Sequence, residues 1–313
     1  MDRSSLMFLV HITDGYSFGK MIGIVKSETE HVTMVFSPET IEISFINGSK
    51  CAVHKIVLYT QELAQYSYNI RGDDGELLPE YPIAVDANEL FNTTKGIGRR
   101  DAIRLYWLAG DNKINIQPIK NSTKDPGRGG ALFVKILSME HTRYDIPTYN
   151  KEPNVRVSAK DFADICGQAS TLKCAALEMV GQANGVIFNG ILPNNTIAST
   201  QKFMSQTAVN NPSNQVATPS VNIPNMEEML SGLKLDNLAS LQPTGLTLNI
   251  IKKEDALTVR VAIATVKALS KIHNISQTGT LLRFFFAEGL PTKIESPIST
   301  YGLYTCCLRN VKA

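Results

Sequence analysis

Apolar residues recur along the chain in two rhythms, and the switching between them predicts most of its elements. Phe18, Met21, Ile22 and Val25 fall at helical intervals within residues 15–26, although Gly19 and Gly23 weaken that helix. Period two then takes over. Val32, Met34 and Phe36 make one strand, and Ile41, Ile43 and Phe45 the next, with Ser37-Pro38-Glu39-Thr40 turning between them and Asn47-Gly48 turning after. Further strands are predicted over 52–59 and 66–70. A second, weaker helix over 86–97 turns Leu90 and Phe91 inward and ends near Gly98. Strands over 103–107, 114–119 and 131–139 follow, the last after a Gly/Pro-rich turn at 124–130.

The segment 144–162, YDIPTYNKEPNVRVSAKDF, interrupts this pattern and restarts it. Pro147 and Pro153 exclude a helix from its first half. Val155 and Val157 alternate as a short strand, and Ser158 with Asp161 three residues on reads as a helix cap before Phe162, Ile165 and Cys166. The order then repeats: a helix over 160–170, strands over 176–180 and 186–188, a loop region, a strand over 246–251, a second helix over 259–272, and strands over 281–286, 292–298 and 302–308. Each half reads helix, strands, helix, strands, and the repeat is one of pattern only. Residues 200–224, rich in Asn, Ser, Thr, Gln and Pro with Lys202 as the sole charge, read as a mobile insertion. Behind it Met226, Met229, Leu230, Leu233 and Leu238 form one helical face, which packs on its own domain or on a partner.

Composition narrows the class. The 313 residues suffice for two domains with proper cores, and no apolar run reaches the length of a membrane span. Asp2 and Asp14 flank the N-terminal apolar run, which therefore does not read as a signal peptide. Five cysteines with no CxxC pair fit a reduced, intracellular chain. A net charge of +2 means that affinity for nucleic acid would have to come from local placement of charge. The five histidines fall in no HExxH spacing, and neither GxSxG nor a Walker A loop is present. Gly127-Arg128-Gly129-Gly130 reads as a hairpin turn. No catalytic, metal or cofactor set emerges. What remains is cations on the predicted helices: Lys20 and Lys26 on the first; Lys95, Arg99 and Arg100 closing the second; Lys267 and Lys271, four apart, on one face of the last, opposite Val259, Ala262, Val266 and Leu269.

With those residues in view the chain resembles the sliding clamps of the proliferating cell nuclear antigen (PCNA) type. The run YDIPTYNKEPNVRVSAKDFADIC matches without gaps the family's interdomain connecting loop and the helix after it, where a Leu-Gly-Ile-Pro segment precedes a strand and a Phe-Ala-x-Ile-Cys helix. The C-terminal half is similar too: Leu269-Ser270-Lys271-Ile272, Ser276, Pro291 and a final strand from Gly302 to Leu308. The resemblance implies an α+β DNA clamp fold of two pseudo-repeated domains, each with two helices packed on antiparallel sheets: residues 1–140, a connecting loop at 141–154, and residues 155–313 with the insertion at about 200–245.

It also implies a homotrimeric ring closed by sheet edges, here 132–139 and 195–200, that encircles duplex DNA without reading its sequence and needs no cofactor. Lys20, Lys26, Lys95, Arg99, Lys267 and Lys271 fall where such a ring lines its hole, joined by Lys135 on the strand before the connector. In the third helix two of the family's basic positions are Gly167 and Thr171 here, with Lys160 and Lys173 nearby. A pocket for the docking motifs of DNA polymerases and other replication and repair proteins would be bordered by Tyr144, Ile146 and Pro147 on the connector, Ile46, Cys51 and Val53 on the wall, Pro291, and Cys306, Cys307 and Leu308 on the tail. A clamp loader is a further implied partner, and the nucleus the implied location, or a viral replication factory should this divergent member come from a large DNA virus. The alternatives are a monomeric, non-ring processivity factor of the same fold, a subunit of a heterotrimeric checkpoint-type clamp, and an enzyme with a scattered site, which no motif supports.

Overall fold

A computed structural model describes residues 5–120, 130–149, 151–204 and 257–309. The predicted turn at 124–130 lies outside them except for its last residue. So do most of the insertion, the Met/Leu stripe at 226–238 and the predicted strand at 246–251.

The first half runs β1 (Leu6–Ile12), α1 (Gly15–Glu28), β2 (His31–Phe36), β3 (Thr40–Ile46), β4 (Ala52–Tyr59), β5 (Gln65–Tyr68), β6 (Tyr81–Asp86), α2 (Ala87–Thr94), β7 (Ala102–Leu108), β8 (Lys113–Ile119) and β9 (Leu132–Leu137). The second runs β10 (Val155–Ser158), α3 (Ala159–Thr171), β11 (Ala176–Gln182), β12 (Gly185–Ile191), β13 (Ile197–Met204), β14 (Leu257–Ala262), α4 (Ile263–Leu269), a 3₁₀ segment Ser270–Asn274, β15 (Leu281–Phe285), β16 (Thr292–Ile298) and β17 (Gly302–Leu308). The fold is thus α+β, with antiparallel pairing between the strands.

Local chemistry sets the helix starts. Asp14, Asp86 and Ser158 each place a side-chain oxygen on the backbone N–H three residues on, at 3.0, 2.8 and 3.4 Å, satisfying a donor that the first turn leaves open. The glycines that weaken α1 in isolation are where α2 packs. A Cβ on Gly19 would lie 2.9 Å from the Thr94 carbonyl, and one on Gly23 would press on the Phe91 ring at 3.3 Å.

The apolar pattern misses β1, β6, β13 and β14. The N-terminal apolar run is β1, with Phe8, Val10 and Ile12 buried. In β6 the consecutive Ile83, Ala84 and Val85 are all buried, so no alternation announces it. The helix expected over 259–272 starts late. Val259 and Ala262 belong to β14, whose β-branched alternation pairs it with β11 along Ala176–Gly181. The predicted insertion also begins too early, since 200–204 lie in β13, which pairs with β12. Arg99 lies beyond α2, which ends at Thr94 with Lys95 as its cap.

The halves obey one plan. The first strand pairs with the first strand after the second helix in both, β1 with β7 and β10 with β15, and β2 pairs with β6 as β11 pairs with β14. The halves fuse where β4 meets β17 in seven residue pairs from Gly302↔Leu58 to Leu308↔Ala52. A thirteen-stranded sheet results, β10-β15-β16-β17-β4-β3-β2-β6-β9-β8-β7-β1-β5, beside a four-stranded sheet β13-β12-β11-β14. The helices neighbour one another as α2–α1–α4–α3. Their apolar faces share one core with the inward strand positions: Phe162 of α3, for example, meets Phe284 of β15 edge-on at 5.4 Å.

Candidate nucleic-acid and partner interfaces

The helix layer brings most of the predicted cations together. Lys20, Lys26, Lys95, Arg99, Lys267 and Lys271 are all exposed. Tyr16 carries two of them on its ring, Lys20 Nζ at 5.0 Å and the Arg99 guanidinium at 5.7 Å from the centroid, and Lys26 lies 5.8 Å from the Phe91 centroid. Across the junction between the halves, burial lowers the Lys271 pKa, with Glu28 opposing that shift and Lys26 adding to it, so the charges of Lys26, Glu28 and Lys271 lie within mutual reach. The exposed positions of α1 and α4 carry no carboxylate. On α3, Asp161 and Asp164 are exposed, and Gly167 and Thr171 contribute no charge, so its cationic content is limited to Lys160 and, past its end, Lys173.

Lys135 does not belong with this group. Its neighbour Val134 is fully buried and pairs with buried Ile114, whereas Lys135 alternates to the other face of β9, opposite Lys113 and beside exposed Phe133. Strand periodicity separates it from the helices.

The predicted pocket residues resolve by the same rule. One cross-strand row runs over the outer face through successive residue pairs: Phe285↔Lys293, Lys293↔Cys307, Cys307↔Val53 and Val53↔Ile46. Ile46, Val53 and Cys307 therefore stand in line. Cys306 and Leu308 alternate inward, 0% and 1% exposed within the core, and are not part of that surface. Tyr144, Ile146, Pro147 and Pro291 are half-buried. The connector is tied to the row at Tyr149, whose ring lies 4.4 Å from Lys293 Nζ and 5.8 Å from the Phe285 centroid, and whose hydroxyl donates to the Pro291 carbonyl.

Asn47, which the sequence shows only as a turn signal, organises the wall. It is 2% exposed; its Oδ1 accepts from the Cys51 and Ala52 amides at 3.0 Å each, and its Nδ2 donates to Ser49 Oγ at 2.9 Å and to Thr265 Oγ1 of α4 at 3.1 Å. Its side chain also hydrogen-bonds Glu28. Cys51 Sγ sits 2.9 Å from Ser49 Oγ. Burial pushes this thiol up, but hydrogen bonds from Ser49, Asn47 and Thr265 outweigh it and hold the thiol below its usual range. Among the described residues no cluster of His, Cys, Asp or Glu has a metal-holding arrangement.

A repeated half-domain with helices in one layer and sheets behind them is the architecture of the DNA sliding clamps. Comparison with solved structures bears this out. The chain superposes on proliferating cellular nuclear antigen from Entamoeba histolytica with a TM-score of 0.68 at 11% identity, covering 98% of this chain and 100% of the other. It superposes on a chain of the PCNA2–PCNA3 complex from Sulfolobus tokodaii with a TM-score of 0.65 at 12% identity, covering 96% and 98%. The fold is the PCNA-type clamp fold, shared at an identity too low to carry anything but architecture. No protein-family model matches the sequence, and no curated protein matches it.

Proposed function

We propose that copies of this chain close head to tail into a three-membered ring around duplex DNA, and that the ring tethers DNA polymerase and other replication and repair proteins. The observation that carries the reading is the internal joint. Within the chain, the fourth strand of the first half, β4, pairs with the last strand of the second half, β17. The equivalent strands of the opposite halves, β13 and β9, are left over. Beyond its pairing with β12, β13 has no second neighbour among the described residues; β9 pairs with β8 and meets β6 only at Ile136 and Leu137. Repeating the β4–β17 joint between chains would seat β13 of one copy on β9 of the next, a heterologous contact that generates a ring. Both strands carry exposed apolar side chains beside their open edges: Phe133 is 62% exposed and Ile197 57%.

The helix layer would then face the hole. Lysine and arginine side chains held loosely on that layer bind phosphates and read no bases, which is the property a sliding contact needs. The outer row beneath the connector would take the partners' docking motifs. Such a protein works as a scaffold without catalytic chemistry, in the compartment where DNA is replicated. A second reading, assembly with a different clamp chain, draws on the Sulfolobus structure, a complex of two PCNA proteins. The solution mass of the purified chain decides between them. A stable species at three times 34.4 kDa supports the self-closed ring, whereas a monomer at micromolar concentration refutes it. On DNA, the ring should persist on circles and run off linear ends, while a charge-held monomer would leave both alike as salt rises.

A further inference from the structure

We infer that Lys293 is the positioning residue that latches the connector onto the sheet and so sets the height of the docking pocket, an inference resting on the partner-docking role proposed above. Lys293 sits in the outer row directly between Phe285 and Cys307, yet is only 8% exposed. Its ammonium lies 4.0 Å from the Phe285 centroid and 4.4 Å from that of Tyr149, and it pairs with Glu295 Oε1 at 2.8 Å. Glu295 is shared with Arg283, whose Nη1 is 3.8 Å from Oε2.

A buried ammonium is tolerated only where charge partners and ring faces replace its water. Three groups do so here, and one of them, Tyr149, comes from the connector. Lifting the connector would strip Lys293 of a ring face and open the ammonium to solvent. The seat of the connector and the solvation of this charge are therefore one equilibrium. An aliphatic residue at position 293 could pack against Tyr149, but it would not tie the ring's position to a charge fixed by Glu295. The Tyr149 hydroxyl bond to Pro291 sets the ring's orientation at the same point. The latch holds one end of the 144–149 segment. Near the other end, where Tyr144, Ile146 and Pro147 are half-buried, the ion pairs are the surface ones of Arg143 with Glu80 and Asp145.

Amide hydrogen exchange across 144–152 tests this in the assembled full chain. Lys293→Met keeps the stem and removes the charge, Lys293→Arg keeps a cation for the rings, and Tyr149→Leu removes the ring from outside the sheet. We expect Lys293→Met and Tyr149→Leu each to speed connector exchange about ten- to thirty-fold, with β16 amides unchanged, and Lys293→Arg to restore most of the protection. Should Lys293→Met loosen β16 as well, Tyr149→Leu alone decides. Connector exchange unchanged in Tyr149→Leu overturns the latch. A synthetic peptide carrying two adjacent aromatics, the chemistry that the apolar positions Ile46, Val53 and Cys307 would take, serves as the docking probe, and its affinity should fall on the order of tenfold in the two loosened variants. If exchange accelerates but the wild-type chain does not bind this peptide, the docking role fails while the latch stands.

Discussion

His54 Nδ1 and the Tyr304 hydroxyl share a 2.7 Å hydrogen bond across the β4–β17 joint, with both side chains 0% exposed. The imidazole also stacks on Phe45, centroids 4.8 Å apart, and its Nε2 points towards Glu28 at 3.9 Å. Burial pushes the His54 pKa down to about 3, so the ring is neutral at pH 7 and the approach of Glu28 is not an ion pair there. The seam between the halves is thus held by a neutral polar pair that acid would have to charge.

The sign of the resulting pH dependence follows. The folded pKa lies below the unfolded value of 6.5, so the stabilisation is complete above pH 6.5 and is lost as pH falls from there towards 3. The slope contributed is at most about 1.4 kcal/mol per pH unit. Glu28 works in the opposite sense at the acid end, because burial raises its pKa against the Asn47 hydrogen bond and the Lys271 charge. Urea midpoints measured between pH 7 and 4.5 should fall steadily for the wild type and stay flatter for His54→Phe. That variant loses about 1–3 kcal/mol at pH 7 by taking the imidazole from the buried Tyr304 hydroxyl and leaving it the weakly bonding Cys306 thiol. Equal slopes for the two proteins would remove His54 from the account.

Gly181 tests the packing beside the connector. A Cβ there would lie 2.2 Å from Cγ of Phe286, whose amide is held by Asn154 Oδ1 at 2.8 Å and so cannot retreat freely. Gly181→Ala should cost about 2–3 kcal/mol in urea denaturation, and Phe286→Leu in the same chain should recover part of it. A neutral effect would mean that the ring moves without cost.

Much of this architecture is legible in the chain. Period two marks β2, β3 and β4, and the Ser158 cap marks α3, because in each case a local rule and the tertiary environment ask for the same residues. Where burial is two-sided, as at Ile83–Val85, the pattern vanishes. Where a strand runs directly into a helix, as at Ala262–Ile263, an apolar run fits both periods and the boundary slips. The site was harder. Sequence points to Val53 and Cys307 but cannot say that Cys306 and Leu308 face the other way until the register is known, and the same ignorance put Lys135 with the helix cations. Asn47 shows in the sequence only as a turn and Lys293 not at all, since each depends on a partner more than 140 positions distant, Thr265 and Tyr149.

Cys51 should be the first thiol to react. Hydrogen bonds hold its pKa down and it is half-exposed, whereas burial pushes Cys307 up to about 11, Cys166 up to about 12 and Cys306 well above its usual range. Peptide mapping after brief iodoacetamide treatment should find Cys51 modified ahead of these three. Equal labelling at Cys51 and Cys307 would contradict the assignment. Protection of Cys51 by a bound docking peptide would place it on the pocket wall.

The leftover strands give a prediction about assembly. Phe133→Glu on β9 and Ile197→Glu on β13 each put a charge on an exposed apolar position without touching the core. Either change should shift the sedimenting species towards the 34.4 kDa monomer while the far-ultraviolet circular dichroism stays unchanged. Retention of full assembly in the double variant would show that these strands are not the joint.

The helix cations call for neutralisation instead of reversal, because Glu28 lies within electrostatic reach of Lys271 and a new carboxylate there would add repulsion to the lost contact. Lys267→Gln with Lys271→Gln removes two exposed charges and leaves the apolar face of α4, Val266 and Leu269, in the core. If both lysines meet phosphates, the slope of log affinity for duplex DNA against log salt should flatten by about 1.8, and affinity at low salt should fall for every sequence alike. The assembled mass should not change, since neither residue lies on β9 or β13. An unaltered slope with intact assembly would leave these lysines as ordinary surface charges, and would move the DNA path away from the α4 face of the helix layer.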